Sequence, residues 1–267
     1  MNKLVLLVRL AFRNVLRKKR RTVLTLFAIA AGILSSTMIA ALGRGMSDNA
    51  ILSAINNFTG HIQIHRQGFL NDPSIDYRMP PASEELKSLL ADPFFSSWSS
   101  RVRVPGVIQS ERETAGVTFM GIDPNPELSQ TFLKDARIEG RFLTSDEDRS
   151  LVLGAALLEQ LQTRVGRRVV VMSQHTDGSV AERGFRIVGA FHAELESTEK
   201  AYAFTGRRTA QAFLGLEDQV TEIAITSIER EGLEDARERL SQDTPELEVM
   251  TWKELEPFAV ALVEMQN

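Results

Sequence analysis

The sequence predicts a membrane-anchored α+β protein. It has an N-terminal amphipathic helix, one transmembrane helix that continues as a stalk, and a two-lobed domain beyond it. In that domain a discontinuous α+β lobe carries an inserted, mostly β lobe. Three observations lead there. A basic leader abuts a charge-free apolar run of 20 residues, Val23–Leu42. The residues after that run are predominantly acidic. Strand and helix periodicities then alternate to the end of the chain.

The apolar run sets the anchor. Twenty residues at about 1.5 Å each reach roughly 30 Å, the thickness of a bilayer's hydrocarbon core. The apolar part of a cleaved signal is shorter, about 7–15 residues. The hydroxyls inside the run, Thr25, Ser35, Ser36 and Thr37, can bond to the carbonyl four residues earlier and so are tolerated in lipid. Ala28, Ala31, Gly32 and Ser35 offer a surface of small side chains to another helix.

Charge sets orientation. Residues 1–21 hold eight of the 31 Lys and Arg and no acid, which leaves 23 basic against 35 acidic residues after the leader. Basic residues beside a span stay cytoplasmic. The N-terminus is therefore expected inside the cell and residues from about 43 onward outside it. Within the leader, Leu4, Leu7, Val8, Phe12, Val15 and Leu16 recur at helical spacing, while Arg9, Arg13 and Arg17 form a separate stripe. That pattern predicts an amphipathic helix on the inner leaflet. Its arginines, with Lys18, Lys19, Arg20 and Arg21, would anchor it to lipid phosphates. A basic tail beside a span argues against nucleic-acid binding.

The helix is expected to continue past Leu42. Met46, Ala50, Ile51, Ala54 and Ile55 keep spacings of three and four, and Gly43 and Gly45 mark a hinge. "GHIQIHR" alternates as a strand. "ASEELKSLLAD" reads as a helix with Ser83 as N-cap. "RVRVPGVIQSERETAGVTFMGID" reads as two strands with a turn near Glu113 and Thr114, and Pro105 places the first at an edge. Around 149–173 the pattern is strand, helix over Ala155–Leu161, strand. "HTDGSVAERG" reads as a turn, "FRIVGAFHA" as a strand and "TGRRTAQAFLG" as a short helix. A strand–helix–strand unit occupies 219–252. The expected divisions are a cytoplasmic basic helix over 1–21 and the transmembrane helix and stalk over 22–57. The first half of the α+β lobe covers 58–135, the inserted β lobe 136–218, and the second half 219–252. Residues 253–267 would be a stalk leading to a second span.

Catalytic signatures are lacking. There is no Gly-x-x-x-x-Gly-Lys-Ser/Thr loop and no Gly-x-Ser-x-Gly elbow. His61 and His65 share one face of a strand without further ligands at metal spacing. Asp146, Glu147 and Asp148 lack the glycine and alternation of a calcium loop. The expectation is a non-enzymatic protein without cofactor or metal. Cysteine is absent, so disulfides are excluded.

"LAFRNVLRKKRRT", "GHIQIH", "GVTFMGIDPNPE", "GRFL", "LVLGAALLEQL", "VGRRVVVMS", "FRIVGAF" and Trp252 followed by "ELEPF" occur in this order along nearly the whole chain. Together they resemble the N-terminal half of the bacterial lipoprotein-releasing permeases, within the wider FtsX-like and macrolide-exporter-type ABC permeases. The resemblance implies a bacterial inner-membrane subunit with four spans, of which one complete span is present here, and a periplasmic domain after the first. It implies as partners cytoplasmic ABC ATPase subunits, a second permease subunit and inner-membrane lipids, with a lipoprotein or other amphipathic cargo. Met38, Leu42, Met46 and Ala50, four apart on one helix face, lie at the depth of the family's cargo cavity. Two other readings stay open. One is a macrolide- or peptide-exporter-type permease, and the other is a single-span anchored binding or sensor domain.

Overall fold

The computed structural model describes residues 18–54, 58–229, 231–257 and 260–261. The expected leader helix over 1–17 lies outside them, as does most of the segment expected to lead to a second span. The chain forms two units, one built on the apolar helix and the other running over Ile51–Val260.

Helix α1, Lys19–Ala54, is a single helix of 36 residues, about 54 Å long at 1.5 Å per residue. It passes through Gly43 and Gly45 without interruption, so the glycines do not end it. Thr25 and Thr37 donate to the carbonyls of Arg21 and Ile33, both at 2.9 Å. These are the back-bonds that make hydroxyls tolerable in lipid.

The second unit is an α+β fold on a mixed sheet. Its strands are β1 (Ile62–Arg66), β2 (Phe95–Gln109), β3 (Thr114–Ile122), β4 (Arg137–Gly140), β5 (Ser150–Gly154), β6 (Arg168–Gln174), β7 (Val180–His192), β8 (Tyr202–Gly206), β9 (Glu222–Ser227) and β10 (Leu247–Thr251). Its helices are α2 (Glu84–Leu90), α3 (Pro124–Gln130), α4 (Ala155–Gln160), α5 (Glu196–Ala201), α6 (Arg207–Leu214), α7 (Leu233–Asp243) and α8 (Trp252–Leu255).

Two sets of strands share β2. Its first half, Phe95–Arg101, pairs antiparallel with β9 and completes the order β10–β1–β9–β2. Its second half, from Val102, pairs with β3 on one side and β6 on the other. From there β3 runs parallel to β8, β8 antiparallel to β5, β5 parallel to β7, and β7 antiparallel to β6. The path returns to β2, so six strands close a ring, with β4 added on β7. A closed ring leaves no unpaired edge among its members. The division expected at 135/136 runs through this ring, because β2 and β3 pair with β6 and β8.

Period-two alternation separates two apolar cores. Ala115, Val117 and Phe119 of β3, Leu151 and Leu153 of β5, and Ala203 of β8 pack with β2, β6 and β7 side chains and with Leu157 and Phe213 from the helices. Met120 and Ile122, Val152, and Phe204 face the other way. They join Phe58, Leu133 and Phe191 in a second core.

Pro105 lies inside β2, and its setting is specific. The ladder to β9 ends at Arg101 and the ladder to β6 begins at Gly106. The missing N–H of proline thus falls where that side of β2 has no strand partner. Hydroxyls fill the gap. Arg103 N donates to Thr221 Oγ1 at 2.7 Å, and Ser173 Oγ donates to the Pro105 carbonyl at 2.7 Å.

Ser83 caps α2 as expected, accepting from Leu86 N at 3.0 Å. The expected turn over 175–184 is shorter than its composition implies. β7 begins at Val180, opposite Gln174, leaving five residues for the turn. The first half of β2, "FSSWSSR", carried no strand pattern because serines occupy positions on both of its faces. Ser97 accepts from Gln130 and Ser99 donates to Glu127, so one face meets a polar layer.

Candidate functional site: the membrane helix and a buried charge junction

Lys18, just before α1, and Lys19, Arg20 and Arg21 in its first turn are exposed and stand at the helix N-terminus. The macrodipole favours acids there, and four cations cost about 0.3–1 kcal/mol each at an exposed site. Helix stability therefore does not account for their placement. Beyond them Lys19–Gly43 is apolar enough to cross a membrane, and none of its apolar window is buried in protein. Phe27, Ile29 and Ile39 are 55–73% exposed, on different faces. A helix apolar all round and not covered by protein needs lipid or other helices around it. Of the stripe expected to meet cargo, Met38 and Leu42 are exposed at 70% and 63%, one turn apart. The side chains of Met46 and Ala50 lie outside the described residues, as do Arg9, Arg13 and Arg17.

In the second unit, the chain reaches β1 through Phe58, Thr59 and Gly60. Phe58 has φ of +70°, a left-handed conformation that costs a bulky residue about 1–3 kcal/mol and persists only where its surroundings hold it. Gly60 follows at φ +68°, and a Cβ there would sit 2.9 Å from the Ile225 carbonyl oxygen. Arg101 holds this segment. Its Nη1 donates to the Phe58 carbonyl, and Gln63 Nε2 donates to the same oxygen at 3.1 Å. The guanidinium carbon lies 5.4 Å from the centroid of the Phe58 ring. That ring packs against Phe132, Tyr202 and Phe204, with centroids 4.9–5.3 Å away.

Arg101 is 1% exposed, so its charge must be matched. Nε and Nη2 bind the two oxygens of Glu127, Nη2 at 2.9 Å, in a two-pronged pair. Nη1 also reaches Glu222 Oε1 at 3.2 Å. Glu222 takes a second cation, Arg103, through Oε2 at 3.2 Å. Ser99 Oγ donates to Glu127 as well. Two carboxylates thus face two guanidiniums. Burial alone would draw the Arg101 pKa down, but Glu127 and Glu222 outweigh it and hold the guanidinium above its ordinary value.

The junction draws on distant parts of the chain. Arg101 and Arg103 come from β2, Glu222 from β9 and Glu127 from α3, whose first turn Asp123 caps at 3.2 Å. The segment leaving the domain approaches too, since Thr59 Oγ1 donates to Glu256 Oε1 at 3.4 Å. Sequence reasoning missed this cluster. The signals were an isolated Glu222 within the apolar "VTEIAIT" and two arginines two apart in "RVRV", which alternation puts on one face.

Among the described residues no group of three or more His, Cys, Asp or Glu suited to a metal occurs. His61 Nδ1 accepts from Ser227 N at 3.2 Å. His65 is fully buried, its Nδ1 3.1 Å from the Arg66 carbonyl and its ring 5.7 Å from that of Phe69.

Comparison with known proteins agrees with this architecture. Residues 22–243 match the family described as the MacB-like periplasmic core domain. No curated protein matches the chain. Among solved structures, the periplasmic region of MacB from Actinobacillus actinomycetemcomitans shares the fold, with a TM-score of 0.51 and 12% identity over 77% of this chain and 94% of that one. The extracellular domain of the noncanonical ABC-type transporter YknZ from Gram-positive bacteria gives a TM-score of 0.48 and 11% identity, over 72% of this chain and 100% of that one.

Proposed function

The chain belongs to the MacB-like periplasmic core domain family of FtsX/MacB-type ABC permeases, and from this premise we propose that it is a transmembrane permease subunit that releases lipoproteins from the inner membrane. ATP hydrolysis takes place in partner ABC ATPase subunits in the cytoplasm, and a second permease subunit completes the complex. The observation that carries the reading is α1. One unbroken helix runs from basic residues, through an apolar stretch that no protein covers, to the segment leading into a domain of this family. In this reading the N-terminus is cytoplasmic and residues from about 43 are periplasmic. The lobes 58–135, 136–218 and 219–252 belong to the same reading, joined through the strand ring that spans the 135/136 boundary.

The junction supplies a route for motion. A displacement of α1 arrives at Phe58 along the chain. Arg101 ties that carbonyl to β2, Glu127 passes the pull to α3, and Glu222 passes it to β9. Cargo would meet the stripe Met38, Leu42, Met46 and Ala50, where flexible methionine suits varied acyl chains. Replacing Met46 by Glu should then block release while the complex still assembles, and loss of assembly would instead make the stripe a packing surface.

The deciding test is release of a pulse-labelled lipoprotein from spheroplasts with and without the protein. Release that fails on depletion supports the proposal. A second reading within the same family is export of a macrolide or peptide. Unchanged lipoprotein release together with lost macrolide resistance would select it.

A further inference from the structure

β2 ends far from Phe58, and beyond it lies an open concavity of about 350 Å³ at the end of the ring. Arg112, Arg164, Arg167 and Arg168 line it, with Glu111 as its acid. All four arginines are exposed, and none makes an ion pair among the described residues. Arg141, Arg208 and Arg239, exposed elsewhere, are matched to Asp148 at 2.7 Å, Glu147 at 2.9 Å and Asp92 at 3.4 Å, while Arg66 and Arg149 stand singly; what sets the concavity apart is four unmatched arginines in one lining. A fifth, Arg186 on β7, lies directly opposite Arg168 on β6. Like charges at opposed positions destabilise a sheet pair.

The loops bearing these charges are fixed. Ser110 Oγ donates to the Leu161 carbonyl at 2.7 Å and accepts from Arg112 N and Glu113 N at 3.1 and 2.9 Å. This bond joins the β2–β3 turn to the end of α4. Gln162 Nε2 adds a bond to Glu113 Oε1 at 3.2 Å, and Gly166 N donates to the Ile187 carbonyl at 2.8 Å. The cations therefore stand in repulsion on a rigid rim, within a chain whose residues after 21 carry 23 basic and 35 acidic side chains. The positive spot is local.

We propose that this concavity binds a diphosphate-class anion, either free or borne on a lipid headgroup. Four guanidiniums and one carboxylate leave a charge of +3 in the lining, which a diphosphate balances near neutral pH. Guanidinium forks match phosphate oxygens in pairs. The volume lies at the lower end of the range for small-ligand sites, about 300–1,000 Å³, and suits a compact anion. A flat acidic protein surface would leave the hollow empty.

The test uses the full chain in neutral-lipid nanodiscs, titrated calorimetrically with inorganic pyrophosphate. Saturable binding is expected, weakened at least tenfold in R164Q/R167Q and unchanged in R208Q, where the altered arginine has its own acid. Pyrophosphate should raise the melting temperature of the parent and not of R164Q/R167Q. Without anion, R168Q should melt higher than the parent, because a like-charge pair is relieved. Co-flotation with phosphatidylcholine vesicles containing a polyprenyl diphosphate, competed by pyrophosphate and lost in R164Q/R167Q, would assign the source to a headgroup. Pyrophosphate binding without co-flotation would assign it to a soluble anion. Absence of saturable binding, equal loss in R208Q, or binding of polyglutamate but not pyrophosphate would overturn the proposal.

Discussion

Arg101 shows how much can rest on one buried cation. Its removal leaves Glu127 and Glu222 charged in the interior, a loss of about 3–5 kcal/mol for a broken buried pair. R101A should therefore lower the urea midpoint sharply. R101K keeps the charge but not the two-pronged geometry and should fall between. Replacing Arg101, Glu127 and Glu222 together with apolar residues of similar volume should recover most of the stability. If the recovered variant inserts and assembles yet releases no cargo, the charges serve coupling; if it is fully active, they serve only the fold. Asp148 offers a test against pH. Burial pushes its carboxyl up, but hydrogen bonds from Arg141, Ser150 and Thr144 win and hold it well below the usual carboxylate range. A depressed folded value means the stabilisation is present above the ordinary carboxylate pKa and is lost as pH falls toward the folded one. D148N should cost about 2 kcal/mol at pH 7, the scale of hydrogen bonds to a charged group. In chemical melts the gap between D148N and the parent should narrow below about pH 4.

At the scale of elements, α1 places two physical preferences in opposition. Glutamate at Arg20 and Arg21 would suit the helix dipole by about 0.3–1 kcal/mol each. The same change removes attraction to anionic lipid of about 1 kcal/mol per basic residue. R20E/R21E should thus raise the helicity of an isolated α1 peptide while lowering correct insertion in cells, scored by protease protection. Normal insertion would show that these two residues do not set orientation. The helix was legible because its length, flanks and hydroxyl positions all follow from local rules. So were β1, α2 and the strand–helix–strand of β9, α7 and β10, whose apolar residues recur at a single period. β4 and β8 were not. β4, "RIEG", holds one apolar residue, and β8, "YAFTG", is buried along nearly its whole length and so shows no alternation; only their neighbours make them strands. Pro105 was half legible. The missing N–H predicted an unpartnered edge, but not that the edge is a short gap inside a strand paired on both sides.

At the scale of the molecule, the asymmetry of charge predicts topology. The chain has no cysteine, so a single one introduced at Asp177 is a clean reporter. Asp177 sits in the exposed β6–β7 turn, where its side chain is 63% exposed. D177C should react with a membrane-impermeant thiol reagent once the outer membrane is permeabilised. Labelling only after lysis of the inner membrane would reverse the orientation. The closed ring and the charge junction were beyond sequence reasoning for one reason. Both are made by residues far apart in the chain, such as Arg101 and Glu222, 121 positions apart.

The sharing of strands also governs how the protein is made. Among the described residues β1 pairs with β9 and β10 alone, and Ile62 meets Thr251. At a synthesis rate of about 5–20 residues per second, β1 waits on the order of 10–40 seconds for its second neighbour. During that interval Ile62 and Ile64, fully buried in the finished fold, have no sheet to cover them. The first half of β2 waits likewise for β9. Pairings this remote in sequence fold slowly. The yield of the nascent domain should thus fall when holding chaperones are depleted, even though the mature fold leaves the ring no open edge.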